Sequence, residues 1–318
     1  MKKSHHLTSV KIIVGLVMLF FIFQACKTEK KDAIKETDKE EVIEITTNTM
    51  DFQSIDTISS GWNTFKYINK SEETHFFLLE KYPVNKSITD GRVEVFPVFQ
   101  NGMDLINDGE PEEALKEFGN LPEWYSEIVF SGGSGLVSPG ETGFTTLNMK
   151  PGYYVMECYV KMENGIFHSV MGMSKPIVVT NSESGNSEPS ENFSISISSA
   201  QGITFDAENL PLKGVRSFEV TFIDQITHEN FVGHDINLVR YDDNVDLKVL
   251  ESWMNWADPK GLIAPAPEGI TFLGGVNDMP AGSTAYFQVN LKPGNYALIS
   301  EVPNTLSKNM LKTFKITE

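Results

Sequence analysis

The chain has 318 residues, of which 40% are apolar and 22% charged, as in a soluble globular protein of one or two domains. Its formal net charge of −17 at pH 7 excludes the basic face that a nucleic-acid-binding protein needs, so no nucleic-acid partner is expected. The same acidity favours solubility and basic partners, but it identifies none.

The N-terminus has the organisation of a targeting segment. Lys2 and Lys3 precede an apolar run over residues 12–23, which is short for a transmembrane helix. Ala25 and Cys26 follow this run, and the pattern resembles the lipobox of bacterial lipoproteins, although Phe23 stands where leucine is commonest. The resemblance implies a signal peptide at residues 1–25, cleavage before Cys26 and lipidation of its thiol. An uncleaved N-terminal anchor is the alternative.

Both interpretations place the rest of the chain outside the cytoplasm, anchored to a membrane. Lys27 stands where lipoproteins of the inner membrane tend to carry aspartate, so the resemblance favours the outer membrane, on its periplasmic face or the cell surface. Residues 26–50 are charged and lack aromatic residues, which predicts a flexible, disordered tether. If Cys26 carries lipid, Cys158 is a lone thiol without a disulfide partner.

The remainder of the chain contains an internal repeat. Residues 132–160 align without a gap with residues 274–302, at a constant offset of 142 positions. Both copies contain a Gly-Gly pair and a Lys-Pro-Gly-x-Tyr turn. Two domains of one architecture are therefore predicted, at residues 51–180 and 193–318, joined by a polar linker at residues 181–192.

Short alternating runs between Gly, Pro and Asn residues predict β-strands in both copies, as in a β-sandwich. Residues 63–68 and 217–223 are examples. Within residues 154–160 the alternation places Cys158 inward and Glu157 on the opposite face. A proline and two acidic residues at 111–113 predict the start of one helix in the first copy. A second short helix is expected near residues 249–256.

Cys158 begins a loop that carries further candidate metal ligands. His168 and Met173 follow it at spacings that fit one strand-to-strand connection, and His75 lies far upstream at the head of a predicted strand. A thiolate, two imidazoles and a weak axial thioether form the trigonal ligand set of a type 1 (blue) copper site. Met171 is the alternative axial ligand.

Taken in order, the motifs Asn-x₅-His, Gly-Gly, Met-x-Pro-Gly-x-Tyr-x-x-x-Cys, Gly-x-x-His and Gly-Met resemble the cupredoxin fold. They are most similar to uncharacterised bacterial cupredoxin-domain proteins, and the loop length resembles the type 1 copper loop of copper nitrite reductases. The resemblance implies an all-β chain of two tandem cupredoxin-like Greek-key β-sandwiches after the signal peptide and tether. It also implies one type 1 copper, held by His75, Cys158, His168 and Met173, with His168 as the route by which an electron leaves.

The second copy lacks this ligand set. Ser300 stands at the cysteine position, Met310 stands at the histidine position, and His234 matches His75 once an insertion is allowed. These residues are interpreted as a degenerate site without metal, in a domain that serves as scaffold, interface or partner-recognition surface. His228 is expected to be a solvated loop residue.

The chain has no His-x-His pair after the signal segment and few spare histidines, whereas copper enzymes of this fold resemble one another in using extra histidines for a second copper site. We therefore expect no enzyme but a membrane-anchored one-electron carrier with an unidentified redox partner protein. Two alternatives stay open. One is a metal-free tandem β-sandwich for binding or assembly, with an inert Cys158. The other is a copper storage or delivery protein that binds Cu(I) without redox cycling.

Overall fold

A computed structural model describes residues 42–206, 209 and 213–317, and most of them are in β-strands. The predicted signal peptide, Cys26 and the first part of the predicted tether lie outside these residues. No helix in the described part of the chain is long and apolar enough to cross a membrane. The prediction of an all-β sandwich is confirmed.

The elements follow one another in a similar order in the two halves. The strands are β1 (Val42–Thr47), β2 (Thr57–Asn69), β3 (Leu78–Lys81), β4 (Val129–Gly133), β5 (Thr142–Met149), β6 (Gly152–Glu157), β7 (Ser174–Glu183), β8 (Phe193–Ser198), β9 (Gly202–Phe205), β10 (Gly214–Phe222), β11 (Ile236–Tyr241), β12 (Ile270–Val276), β13 (Thr284–Leu291), β14 (Gly294–Ile299) and β15 (Leu311–Ile316). The helices are α1 (Ile88–Asp90), α2 (Phe96–Asn107), α3 (Pro111–Phe118) and α4 (Leu247–Trp253), with a π-helical turn at Gly91–Val95 and short 3₁₀ turns at Glu123–Glu127 and Glu229–Phe231.

One long sheet passes through both halves of the chain. Its strands run β4-β3-β6-β7-β2-β5-β13-β10-β8-β9, and β1 pairs with β2 beside this path. A separate sheet in the second half has the order β12-β11-β14-β15. The apolar faces of these sheets form one continuous core, in which Phe65, Phe77 and Phe287 are buried. The two predicted domains thus share a sheet rather than standing apart.

A local two-fold relation joins the halves. Strands β5 and β13 pair antiparallel with Thr145 opposite Phe287, and an isolated bridge joins Ser134 to Val276. Both pairs are separated by the repeat offset of 142, so equivalent residues contact each other, as they do in an isologous interface. Asn237 strengthens this junction, since its Oδ1 accepts a buried hydrogen bond of 2.7 Å from the backbone N–H of Leu136.

The turns that identified the repeat in the sequence have the same structure in both halves. The Tyr154 hydroxyl donates to the carbonyl of Lys150 at 2.8 Å, and the Tyr296 hydroxyl donates to that of Lys292 at the same distance. Each bond ties the start of its strand to the turn before it. The repeat in the sequence is therefore also a repeat of local geometry.

A helical insertion between β3 and β4 covers one edge of the first half. The predicted helix at 111–113 is α3, and the helix expected near residues 249–256 is α4. The longer α2 was not predicted. It packs closely on α3 at Gly102, where a Cβ atom would lie 2.2 Å from the Phe118 ring.

Two predicted boundaries are wrong. Residues 42–47, assigned to the flexible tether, form β1 and pair in parallel with β2 because Ile43 and Ile45 bury their side chains in the core. The boundary after residue 180 falls inside β7. The linker itself is attached to the protein, since Ser184 Oγ donates to the carbonyl of Trp62 at 2.7 Å.

Candidate metal centre

Three fully buried side chains meet at one end of the first half. Cys158 Sγ lies 3.8 Å from His75 Nδ1 and 3.8 Å from His168 Nδ1, and the two Nδ1 atoms are 3.1 Å apart. Among the described residues these three form the group of His, Cys and acidic side chains that is compact enough to hold a metal ion. The structure thus brings together ligands that are 83 positions apart in the chain.

The donor atoms fit a transition-metal ion. A triangle with these three sides has a centre about 2.1 Å from each corner, close to the metal–nitrogen and metal–sulfur bond lengths of about 2.0–2.3 Å known for zinc. Both imidazoles direct Nδ1 towards this centre, and His75 Nε2 has no hydrogen-bond partner. A shared metal ion would satisfy two facing nitrogens and a sulfur at these distances.

Burial sets the protonation of the three ligands. It lowers the pKa of His75 to about 4 and, together with the charge of His75, that of His168 to about 3. Burial raises the pKa of the Cys158 thiol to about 12. Both imidazoles are therefore neutral at pH 7, which is the form that binds metals, whereas the thiol must release its proton to the solvent when a metal binds.

The loop from Cys158 to Met173 is closed by its own backbone. Cys158 follows the last residue of β6, and its N–H donates to the Met173 carbonyl at 3.3 Å. Met173 in turn donates to the carbonyl of His168, and His168 donates to that of Val160, each at 2.8 Å. These bonds hold the cysteine and the second histidine at a fixed separation.

The connection before β3 positions His75. The His75 N–H donates to the Val137 carbonyl at 3.2 Å and the Val137 N–H donates back at 2.7 Å. Asn69 braces this connection, because its buried Nδ2 donates to the carbonyls of Glu73 and Val137 at 2.7 and 2.8 Å. Its Oδ1 accepts from the N–H and the hydroxyl of Ser71.

The two candidate methionines have different surroundings. Met173 is fully buried, and its backbone forms hydrogen bonds with the backbones of both Cys158 and His168. Met171 is 52% exposed and lies on the surface. This difference in burial favours Met173 over Met171 as the axial ligand, and the assignment stays a prediction.

His168 is enclosed by the protein. Its imidazole is fully buried. Glu73 Oε2 lies 3.1 Å from His168 Nε2, although the angle does not make a hydrogen bond and both atoms are without one. The half-buried Glu73 carboxylate thus covers the outer edge of this ring.

The second half has different contacts at the matching positions. Leu78 pairs with Glu157 in the first half and Asn237 pairs with Ile299 in the second, a register that matches His75 to His234 and Cys158 to Ser300. Ser300 Oγ donates to Asp235 Oδ1 at 2.7 Å, and the Ser300 N–H donates to the carbonyl of the buried Met310.

The two histidines of the second half contact each other. His234 Nε2 lies 2.9 Å from His228 Nε2, and His234 Nδ1 lies 3.0 Å from the Asp224 carbonyl oxygen. His228 is half-buried against His234, so its assignment as a solvated loop residue is wrong.

No protein-family model and no curated protein matches this chain. Similar solved structures include dithionite-reduced auracyanin from the photosynthetic bacterium Roseiflexus castenholzii, which is 20% identical and covers 43% of this chain and 94% of its own, with a TM-score of 0.26. Copper nitrite reductase from Nitrosomonas europaea is 11% identical over 88% of this chain and 95% of its own, with a TM-score of 0.23. A blue copper oxidase from Nitrosomonas europaea is 11% identical over 86% and 85%, with a TM-score of 0.22.

These matches contradict the prediction that the chain is not an enzyme. The nitrite reductase and the oxidase align over most of this chain, across both halves, whereas the auracyanin covers less than half of it. With TM-scores below 0.5, the matches assign neither a reaction nor a substrate to this chain.

Proposed function

We propose that this chain binds one copper ion in a type 1 site formed by His75, Cys158, His168 and Met173, and that the site transfers one electron at a time. The observation that supports it is the convergence of a thiol and two neutral imidazoles on a point equidistant from all three. Bound copper supplies the one-electron redox chemistry.

The donor set favours copper over the other common divalent ions. A thiolate suits Cu(I), imidazole suits both oxidation states, and a trigonal His₂Cys set with a distant thioether is typical of electron-transfer copper sites. Affinity for the same donors is higher for Cu(II) than for Zn(II). A structural zinc site would call for four strong ligands in a tetrahedral arrangement, and the described residues place three such donors here.

The protein's contribution is to hold these donors still and to exclude water. The loop hydrogen bonds between Cys158, His168 and Met173 fix the ligands before a metal arrives. Since all of them are buried, little rearrangement of solvent accompanies a change of charge at the site. An electron that leaves through His168 passes Glu73, which is the neighbouring half-buried group.

We also propose that the protein is an extracytoplasmic lipoprotein, anchored through Cys26 and located in the outer membrane. The support is the residue pattern over positions 1–27. Mass spectrometry of the N-terminal peptide from membranes tests it: diacylglyceryl-modified Cys26 is expected, and a Cys26→Ala protein that stays in the membrane fraction would refute the lipid anchor. A redox partner protein on the same side of the membrane follows from electron transfer.

The test of the copper site is a titration of the metal-free protein with Cu(II), followed by its visible spectrum. We expect one copper per chain and an intense thiolate-to-copper band that Cys158→Ser abolishes. Met173→Leu is expected to shift the band, and Met171→Leu, a matched change at the exposed methionine, is expected to leave it unchanged.

Each other outcome has a defined meaning. A colourless protein that retains neither Cu(II) nor Cu(I) would refute the copper site and favour the metal-free binding module. Retention of Cu(I) without reversible oxidation in cyclic voltammetry would refute electron transfer and favour storage or delivery. Equal spectral changes in Met171→Leu and Met173→Leu would refute Met173 as the axial ligand.

A further inference from the structure

A cavity of about 90 Å³ lies between the two halves, beside the strand that leads to the metal centre. Glu157 and Tyr159, the immediate neighbours of Cys158, line it, whereas Cys158 does not. No single stretch of the sequence indicates this cavity, because its walls come from segments distributed over more than 200 residues of the chain.

Five carboxylic acids line this cavity. Two come from the first half and three from the second: Glu80, Glu157, Asp235, Asp278 and Glu301. All except Asp278, which is half-buried, are buried. Five acids around so small a space repel one another whenever they are ionised, so the arrangement is costly in the absence of a positive charge.

Among the described residues, no side-chain cation pairs with these acids. Within the part of the chain that the structure describes, none of the five acids forms an ion pair with a lysine, arginine or histidine. The nearby Lys161 is buried, but its Nζ donates to the backbone carbonyls of Trp256 and Asp258, each at 2.8 Å. Lys161 therefore lowers the negative potential of the cavity without entering it.

One oxygen of Glu301 lacks a hydrogen-bond partner. The residue is 6% exposed, and its Oε2 accepts a hydrogen bond of 2.8 Å from the Tyr159 hydroxyl. Its Oε1 is buried and has no hydrogen-bond partner. By contrast, Asp235 Oδ1 accepts from Ser300, and Asp278 Oδ1 accepts from Gln225 at 2.6 Å.

Aromatic rings form another part of the wall. Phe99, on α2, lies 5.8 Å from Phe231 and 6.0 Å from Trp256, measured between ring centroids. Phe167 lies 5.8 Å from Trp256. Phe231 is 39% exposed, so this aromatic wall reaches the surface. The cavity is thus lined by both carboxylic acids and aromatic rings.

We propose that this cavity binds the ammonium head of a small organic cation, a primary alkylammonium, with Glu301 as its ionic partner. The aromatic wall favours an organic cation, because ring faces attract ammonium groups and pack against alkyl chains. The space is smaller than an engineered cavity of about 150 Å³ that holds benzene, so the cavity admits the head while the alkyl chain lies along the aromatic wall.

A bare metal ion fits this cavity less well. Chelation needs at least three donor atoms close together, and among the described residues only His75, Cys158 and His168 meet that condition. Burial, followed by the charge of Asp235, raises the pKa of Glu301 above its usual range, and burial raises that of Asp235 to about 6. A bound ammonium would supply the positive charge that makes ionisation of Glu301 favourable.

The test is isothermal titration of the protein with n-butylammonium chloride at a constant 0.15 M ionic strength, which screens non-specific attraction to the acidic surface. We expect one saturable site per chain, with at least tenfold weaker binding of n-butanol and of butyrate. Glu301→Gln is expected to weaken n-butylammonium by about tenfold or more, because it removes a charge-assisted hydrogen bond. Glu268→Gln, a matched change at an exposed acid outside the cavity, is expected to have no effect.

A second variant keeps the proposal testable if Glu301→Gln does not fold. Phe231→Leu removes a partly exposed ring from the aromatic wall and is expected to weaken n-butylammonium several-fold while the protein still unfolds in one cooperative transition. Equal affinity for n-butanol, unchanged binding in both variants, or displacement of n-butylammonium by stoichiometric Ca²⁺ or Mn²⁺ would overturn the proposal. The titration is run on metal-free and copper-loaded protein, so its result does not depend on the copper site.

Discussion

Replacing Asn69 with alanine tests how the first half holds His75 in place before any metal binds. The Asn69 side chain is buried and makes four hydrogen bonds within the connection that ends at His75. Alanine removes all four and leaves the Ser71 N–H without its partner. We expect the metal-free protein to lose stability and the copper affinity to fall, because His75 is no longer fixed opposite Cys158.

The magnitude follows from the bonds. A buried hydrogen bond contributes about 1 kcal/mol net, so four of them correspond to about 4 kcal/mol in the free energy of unfolding. In the variant, the Val137 carbonyl keeps the His75 N–H as a donor, and the Ser71 hydroxyl, released from Asn69, can donate its proton to the Glu73 carbonyl, which keeps the loss near this value. Asn69→Asp is expected to be at least as destabilising, since an oxygen would replace the amide that faces two carbonyls.

Urea unfolding of the metal-free proteins, followed by copper titration, measures both effects. Asn244→Ala, at an exposed asparagine in a turn of the second half, is the control and is expected to change stability by less than about 0.5 kcal/mol. A loss below about 1 kcal/mol in Asn69→Ala, together with unchanged copper affinity, would show that the connection is held by other contacts and would refute the reasoning.

Two further predictions concern packing and pH. Gly133→Ala would place a Cβ atom 1.8 Å from the carbonyl oxygen of Phe77, so thermal unfolding should show a loss of about 3 kcal/mol in the free energy of unfolding. The control is Gly140→Ala, in open space at a φ of 77°, which should lose only about 1 kcal/mol. Equal losses in the two variants would contradict this prediction. Burial raises the pKa of Asp235 to about 6, so its contribution to stability is present below about pH 4 and is lost as the pH rises through 6, by about 3 kcal/mol. Asp235→Asn should flatten this slope of unfolding free energy against pH, whereas the control Asp108→Asn, at an exposed site, should not. An unchanged slope in Asp235→Asn would mean that Asp235 does not hold its proton.

The sequence predicted the features of the fold that depend on short-range patterns. Alternating polarity identified strands, and the constant offset of 142 identified matching turns that the structure shows to have the same hydrogen bonds. Cys158, His168 and Met173 lie within sixteen positions, so their common loop was visible directly. Their grouping with His75 depended on a resemblance, since nothing local in the sequence states which strand β6 pairs with.

The sequence did not predict features that depend on how distant segments meet. Residues 42–47 were grouped with the charged tether before them, but they carry only one charge, at Glu44, and two isoleucines in alternation are enough to add a strand when β2 offers a free edge. The five acids of the cavity looked like ordinary surface charges, because acidic residues are abundant throughout the chain. Only the junction of the two halves shows that these acids are enclosed together.

The local two-fold relation explains why the cluster of candidate metal ligands and the cavity lined by acids lie side by side. Tyr159 follows Cys158, and Glu301 follows Ser300, so the two residues are equivalent in the repeat. Their side chains nevertheless meet, with the Tyr159 hydroxyl donating to Glu301 Oε2. The ends of β6 and β14 therefore face each other across the cavity. In the first half the strand end directs a thiol to two imidazoles; in the second, Ser300 directs its hydroxyl to Asp235, an acid of the cavity. In the second half, the position of the thiol is thus occupied by a serine that hydrogen-bonds to Asp235 instead of facing two imidazoles. The repeat therefore has one cluster of candidate metal ligands and one shared cavity.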